Sequence, residues 1–475
     1  MIGRKKEIEQ LNRLYNSKKS ELVAIYGRRR VGKTYLIDET FEGRITFRHA
    51  GLSPVEIKTG LLKAQLKNFY NSLLDQGMKK SKMPGDWLDA FFMLEQFLKE
   101  RDDGSRQVVF LDELPWLDTQ RSGFLTAFES FWNNWACHRK NIMVIVTGSA
   151  SSWILDNLIN NHGGLYNRVT YEIKLSPFTL NECEEFFESI GVNLTRYDIT
   201  QSYMIFGGIP YYLGYFEKGK SLSQMVDQIM FSKEAVLRNE YDRLFISAFS
   251  NPETMKKIVN FLSTKNSGYT RAEICKGINV SDGGTLTTNL EALIASDYIV
   301  KYYPFGLSRR TEYYKLVDPF CLFCSNFKSV IGGKKENFWS RSLSAQNVVV
   351  WRGFAFERVC FSHIKQIKSA LEIGGVLSSE SAWSYREKGE SGSQIDMLID
   401  RDDNVINMCE IKFSGDDFEV DLSCYKDVLK KQEALTKLIS PKTAIHNTLI
   451  TTFGLKENKH SGVFSNVITL DDLFK

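Results

Sequence analysis

Several features are missing from this 475-residue sequence, and each absence excludes a class of protein. No run of about 18 apolar residues occurs, so no membrane-spanning helix is expected. The opening residues, MIGRKKEIEQ, are polar and helical in pattern. They lack the apolar centre of a secretory signal. Charge of either sign is nearly balanced: 61 Lys and Arg against 57 Asp and Glu give +4. No global basic field therefore draws the chain to nucleic acid, and any such surface must be local. The eight cysteines show no framework spacing, which fits reduced thiols in a cytoplasmic setting. The one close pair, Cys321 and Cys324 in CLFC, has no second pair to complete a zinc site and reads as core.

What is present is the composition of a globular protein, with 43% apolar and 25% charged residues. The length is too great for one core and suggests two to four domains. The most specific motif lies in ELVAIYGRRRVGKTYLIDETF. Gly27, Arg28, Arg29, Arg30, Val31, Gly32, Lys33 and Thr34 read G-x-x-x-x-G-K-T between a buried strand and a helix. Glycines let the backbone bend until several N–H groups converge on phosphate oxygens, and the following helix adds its positive end. Lys33 is placed to reach β- and γ-phosphates and Thr34 to bind Mg²⁺, so ATP and Mg²⁺ are the expected cofactors.

A nucleotide hydrolase also needs an acid at the end of a neighbouring strand. RQVVFLDELPWL supplies one: after the apolar run Val108 to Leu111, Asp112 is expected to hold the Mg²⁺ shell. Glu113 follows as the group that polarises the attacking water. A third buried strand, NIMVIVTGSA, ends in Thr147 and Ser149, hydroxyls suited to sensing the γ-phosphate. Arg168, in LYNR, precedes a further strand and is placed to act on a neighbouring subunit's nucleotide. A solvated surface arginine is the plain alternative.

IGRKKEIEQL, YGRRRVGKT, LDELPWL, TGSA, LYNR and FGGIPYYL together resemble the AAA+ and STAND-like P-loop ATPases, in particular a prokaryotic family of archaeal-type ATPases. The likeness is specific over about the first 215 residues. It implies a five-stranded parallel core, a helical lid and an arginine finger at Arg168, a residue that hints at a homo-oligomer without requiring one.

Beyond Pro177 the pattern turns helical. Thr179 is an expected N-cap, and Gly207, Gly208 and Pro210 mark a sharp bend. From about residue 251, Met255, Ile258, Val259 and Leu262 share a helical face. Thr270 and Glu273 form a capping box, and a third helix follows, with Thr285, Thr287, Thr288 and Asn289 expected on its exposed side. A hairpin then carries Lys301, Arg309, Arg310 and Lys315 among tyrosines. This is the pattern of a winged helix-turn-helix, open to a DNA-contacting or a purely structural role.

In the last third, Phe356, Cys360, Ile364 and Ile367 form a helical stripe with Glu357 at its edge. Tyr425, Lys426 and Lys430 fall on a later helix, and NTLITTFG reads as a final core strand. Between them, QIDMLIDRDDNVINMCEIKF reads as two strands about a turn at Asp402 to Asn404. That register sets Asp396 opposite Glu410 and places Lys412 on the same face. Paired carboxylates suit a divalent cation, whereas a slip of one residue would pair Asp396 with Cys409. Glu357, Asp396, Glu410 and Lys412 resemble the motif of the PD-(D/E)xK nucleases, with which archaeal-type ATPases commonly end. The resemblance implies metal ligands at Glu357, Asp396 and Glu410, and catalytic roles for Glu410 and Lys412.

The expected architecture is α/β: a P-loop core over 1–178, a helical lid over 179–250, a winged helix over 251–320 and a restriction-endonuclease-like domain over 335–475. The expected activity is ATP hydrolysis coupled to a DNA-acting, Mg²⁺-dependent tail. The alternatives are an ATP-gated signalling switch and a DNA-binding regulator, each with an inactive tail.

Overall fold

The structure is a computed structural model. It describes residues 2–475 except 55, 56, 58, 161, 162, 250, 306–311, 332–334 and 386–392. Arg309 and Arg310 therefore lie outside the described residues. Cα packing divides the chain into two units: residues 1–177 with 242–253 and 288–297, and residues 178–241 with 254–287 and 298–475.

The first unit is built on strands β1 (Glu21–Tyr26), β2 (Ile45–Ala50), β3 (Gln107–Asp112), β4 (Ile142–Gly148) and β5 (Tyr171–Lys174), in the order β2-β3-β4-β1-β5. Every pairing is parallel. All residues of β1, β3 and β4 are buried, as a parallel sheet covered on both faces requires. Against it packs an aromatic layer that includes Phe69, Trp87, Phe91, Phe124 and Phe128. The Phe69 and Trp87 rings meet edge-on at 5.6 Å, a favoured aromatic geometry.

In the second unit the helix Leu180–Ser189 starts with a full capping box between Thr179 and Glu182. Gly207 (φ 70°) and Gly208 (φ 64°) turn the chain into the short helix Pro210–Leu213. A Cβ on Gly208 would stand 2.4 Å from the Phe178 carbonyl oxygen, so the bend needs glycine there. Cys321 and Cys324 are buried on the helix Pro319–Phe327.

The next chain segment runs through the helices Pro252–Leu262, Arg271–Ile278 and Gly284–Ala295. Three strands accompany them: β6 (Tyr269–Thr270), β7 (Ile299–Tyr302) and β8 (Tyr313–Leu316). β8 lies between the other two, antiparallel to both. Met255, Ile258, Val259 and Leu262 are buried, and Thr270 and Glu273 cap their helix as expected. Two surface expectations fail here. Asn289 and Lys315 are buried, Lys315 because both faces of the central strand β8 are covered at residues 314–316.

The last sheet contains β9 (Ser378–Tyr385), β10 (Ser393–Arg401), β11 (Val405–Lys412), β13 (Ala444–Thr451) and β15 (Asn466–Ile468) in the order β15-β13-β11-β10-β9. It is mixed: β9, β10 and β11 are antiparallel, while β11, β13 and β15 are parallel. The short strands β12 (Phe418–Glu419) and β14 (Leu455–Lys456) pair separately. NTLITTFG is therefore not the final strand, since β14 and β15 follow it. The expected single helix after residue 346 is two, Gln346–Ser362 and Ile364–Ala370. The chain breaks at His363, whose Nε2 accepts the Leu180 N–H at 3.0 Å.

Candidate functional site

The phosphate loop joins β1 to the helix Lys33–Thr40. Gly27 has φ 145° and Gly32 φ 93°. A Cβ on Gly27 would lie 2.3 Å from the Leu175 carbonyl oxygen, so this corner of the loop admits glycine only. Arg4, from the opening IGR, donates to Val31 O at 3.4 Å and to Ser176 O at 2.7 Å, tying the first helix's start to the loop. Arg28 is buried, and Arg29 and Arg30 are half-buried.

Lys33 folds onto its own loop. Its Nζ donates to Gly27 O at 2.9 Å, Arg28 O at 3.1 Å and Ser149 Oγ at 3.2 Å. Burial pulls the Lys33 pKa down, while Glu113 and Asp112 oppose the shift. Thr34 Oγ1 donates to Asp112 Oδ2 at 2.9 Å, and Thr147 Oγ1 donates to Asp112 Oδ1. Glu113 has φ 50° and is held twice by Ser149: the backbone N–H donates to its Oε2 at 2.9 Å and the hydroxyl to its Oε1. Lys33, Thr34, Asp112, Glu113, Thr147 and Ser149 thus form one hydrogen-bonded set.

One detail differs from expectation. β3, which carries Asp112, does not neighbour β1; β4 lies between them. The pairing is longer-range than a strand-by-strand reading assumes, and β4 supplies Thr147 to bridge the gap. Arg168 is exposed just before β5.

The acidic group of the second unit is assembled from further apart. The register pairing Met397 with Cys409 brings Asp396 level with Glu410. Asp396 Oδ2 accepts the Ile411 N–H at 3.0 Å. Glu357, on the helix Gln346–Ser362, is buried and accepts from Asn266 Nδ2 at 2.7 Å. Glu410 is also buried, with both carboxylate oxygens engaged: Oε1 by Lys412 Nζ at 2.7 Å and Oε2 by Lys431 Nζ at 2.6 Å. Burial, then the Glu410 and Glu357 charges, push the Asp396 carboxyl up to about 7. The two lysines outweigh burial at Glu410 and hold its carboxyl below the usual range.

Sequence reading missed Lys431 and Asn266. Lys431 lies beside Lys426 and Lys430, which are exposed; only its position on the helix Leu422–Thr436 turns it inward. Among the described residues, no group of three His, Cys, Asp or Glu side chains is arranged to hold a metal ion. On the β7–β8 hairpin, Lys301 is paired to Glu312 at 3.2 Å.

The parallel sheet, the glycine-bent loop and the Thr34–Asp112 pair define a P-loop ATPase core. Residues 1–216 match the family described as an ATPase domain predominantly from Archaea, and the chain belongs to that family. An uncharacterised protein of Methanocaldococcus jannaschii is 25% identical over 442 residues, covering 91% of this chain and 92% of its own. An uncharacterised ATP-binding protein of the same organism is 49% identical over 43 residues, 9% of this chain and 73% of its own. Among solved structures, the Walker-type ATPase of Pyrococcus abyssi is 18% identical with a TM-score of 0.46, over 68% of this chain and 96% of its own. No helix among the described residues is long and apolar enough to cross a membrane.

Proposed function

We propose that this chain hydrolyses ATP at the phosphate loop and uses the cycle to control a C-terminal module that acts on DNA. The observation supporting the first half is the hydrogen-bonded set around Asp112. The loop's N–H groups would cradle the phosphates, and Lys33 would exchange its carbonyl partners for phosphate oxygens. Glu113 would act as the base that orients water, Ser149 holding it at the correct end of β3. Arg28, Arg29 and Arg30 would add positive charge near the nucleotide. Arg168 would serve a neighbouring copy of the chain. The Thr34 hydroxyl and Asp112 carboxylate are hard oxygen donors 2.9 Å apart, a donor set that fits Mg²⁺. When bound, the ion would neutralise phosphate charge.

For the second half, the support is the union of Asp396, Glu410 and Lys412 on β10 and β11 with Glu357 from the preceding helix. These residues come in the order of the PD-(D/E)xK motif, which motivates DNA as the substrate class. The group does not fit a metal as it stands, because both oxygens of Glu410 are taken by ammonium groups. No chemical step is therefore derived through a metal there. The same pairing favours a second reading, an ATP-gated switch or DNA-binding regulator whose nuclease-like tail is inactive.

Two measurements test these readings. Glu113→Gln should keep nucleotide binding and lose ATP turnover by roughly 10²-fold or more; undiminished turnover overturns the assignment. Plasmid nicking with Mg²⁺ or Mn²⁺, with and without ATP, should be abolished by Lys412→Ala. Absence of nicking by the unaltered chain under every condition selects the inactive tail.

A further inference from the structure

A row of aromatic rings leads to the acid group of the second unit. Tyr197, on the helix Arg196–Phe206, stacks on Phe413 at 4.9 Å with 11° between the planes, and on Phe453 at 5.6 Å with 24°. Phe413 in turn meets Phe356 at 5.2 Å. Phe413 directly follows Lys412, and Phe356 directly precedes Glu357. The row therefore ends on both elements that carry these residues, β11 and the helix Gln346–Ser362.

Two more joints hold the same helices together. His363 Nε2, at the end of the helix Gln346–Ser362, accepts the Leu180 N–H at 3.0 Å. Burial pushes the His363 pKa down to about 4, so the imidazole stays an acceptor at neutral pH. The Arg196 guanidinium donates to Glu184 at 2.8 and 3.0 Å and to Asp471 at 2.7 Å, and it lies 4.9 Å from the Phe474 ring centroid. Exposed ion pairs of that kind add little. The ring stack is the stiffer joint, because closely packed rings cannot slide apart without opening voids.

The other end of this segment leads along the chain to the phosphate loop. Arg4 donates to Val31 O in the loop and to Ser176 O. Phe178 N–H donates to Gly208 O at 2.8 Å, and Gly207 N–H closes the helix Arg196–Phe206 on Tyr203 O at 2.8 Å. Only Pro177 separates the residue tied to the loop from the residue tied to the helix end, and its ring fixes φ.

We propose that Tyr197 is a positioning residue: through it the helix Arg196–Phe206 aligns Lys412 and Glu357, and the nucleotide state of the phosphate loop reaches the acid group. This rests on the reading above, in which the ATP cycle controls the C-terminal module, and names the side chain that carries the control.

The test is hydrogen exchange of the full chain, nucleotide-free and saturated with a non-hydrolysable ATP analogue. A fluorescent nucleotide measures binding separately. In the unaltered chain the analogue should change exchange within Val405–Lys412 and Gln346–Ser362. Tyr197→Ala should still bind the analogue and lose roughly half of that change or more. A merely structural loosening would raise exchange with and without nucleotide alike. Tyr197→Phe keeps the stack and should keep the change. Phe453 is exposed, so Phe453→Ala opens the same stack at little risk to the fold and should act in the same direction should Tyr197→Ala not fold. An undiminished change in the folded variant overturns the role of Tyr197 and leaves control by ATP standing. Nucleotide binding by the unaltered chain with no change in those segments overturns both. Failure of the unaltered chain to bind nucleotide overturns the ATP reading itself, and the role of Tyr197 with it.

Discussion

The two charged sites hold their lysines differently. At the phosphate loop, Lys33 is held by two carbonyl oxygens and a hydroxyl, all neutral. In the C-terminal sheet, Lys412 and Lys431 are held by one carboxylate. Hydrogen bonds from a charged donor contribute about 1.5–3 kcal/mol each, and an arriving phosphate replaces them with better ones. Breaking a buried ion pair costs about 3–5 kcal/mol, since it strands a charge. The first lysine is poised for exchange, whereas the second pair resists it.

Removing the centre of each site sharpens this contrast most. Lys33→Ala should lower ATP turnover by roughly 10²–10³-fold with little change in thermal stability, because its partners are neutral groups. Glu410→Ala should do the reverse: ATP turnover stays near normal, and urea unfolding reports a loss of about 3 kcal/mol or more. A stable Glu410→Ala chain would show that the two ammonium groups reach solvent easily, and the contrast would fail.

The next effect is on pH. The Asp396 carboxyl, at about 7 in the folded chain, lies near 3.9 when unfolded. Between these values the folded state binds the extra proton, so its stabilising effect is complete below the lower value and is lost as pH rises through 7. Glu410 has the opposite sign. Its carboxyl is depressed, so its contribution is lost as pH falls below the ordinary carboxylate range. Asp396→Asn should therefore flatten the fall in stability between about pH 5 and pH 8. Denaturant midpoints at those two pH values check it; an unchanged slope would place the titration elsewhere.

How much of this was legible in the sequence follows from distance along the chain. The phosphate loop is eight contiguous residues whose backbone and helix end do most of the work, so Gly27, Gly32, Lys33 and Thr34 could be read directly. The Asp396–Glu410 register was legible because a short turn fixes it; the turn residue Asn404 adopts φ 61°. The interposition of β4 between β1 and β3 was not, since strand order depends on crossovers and not on local pattern. Lys315, Lys431 and Asn266 were illegible for the same reason. Asn266 reaches Glu357 from 91 residues away and Lys431 reaches Glu410 from 21, and a lysine's identity gives no sign of whether it is buried.

Ser149 offers the smallest but most discriminating change. It is the residue touching both Lys33 and Glu113, so it links phosphate capture to the acid that orients water. Its N–H survives substitution by alanine, and Glu113 keeps that bond at 2.9 Å. Only the hydroxyl is lost, which frees one bond at each partner. Ser149→Ala should reduce kcat by about tenfold, the effect of one hydrogen bond to a charged group. The KM for ATP should stay level or fall, because Lys33 then has one resting partner fewer to leave. A rise in KM with kcat unchanged would mean that Ser149 contacts the nucleotide alone, and that Lys33 and Glu113 act independently.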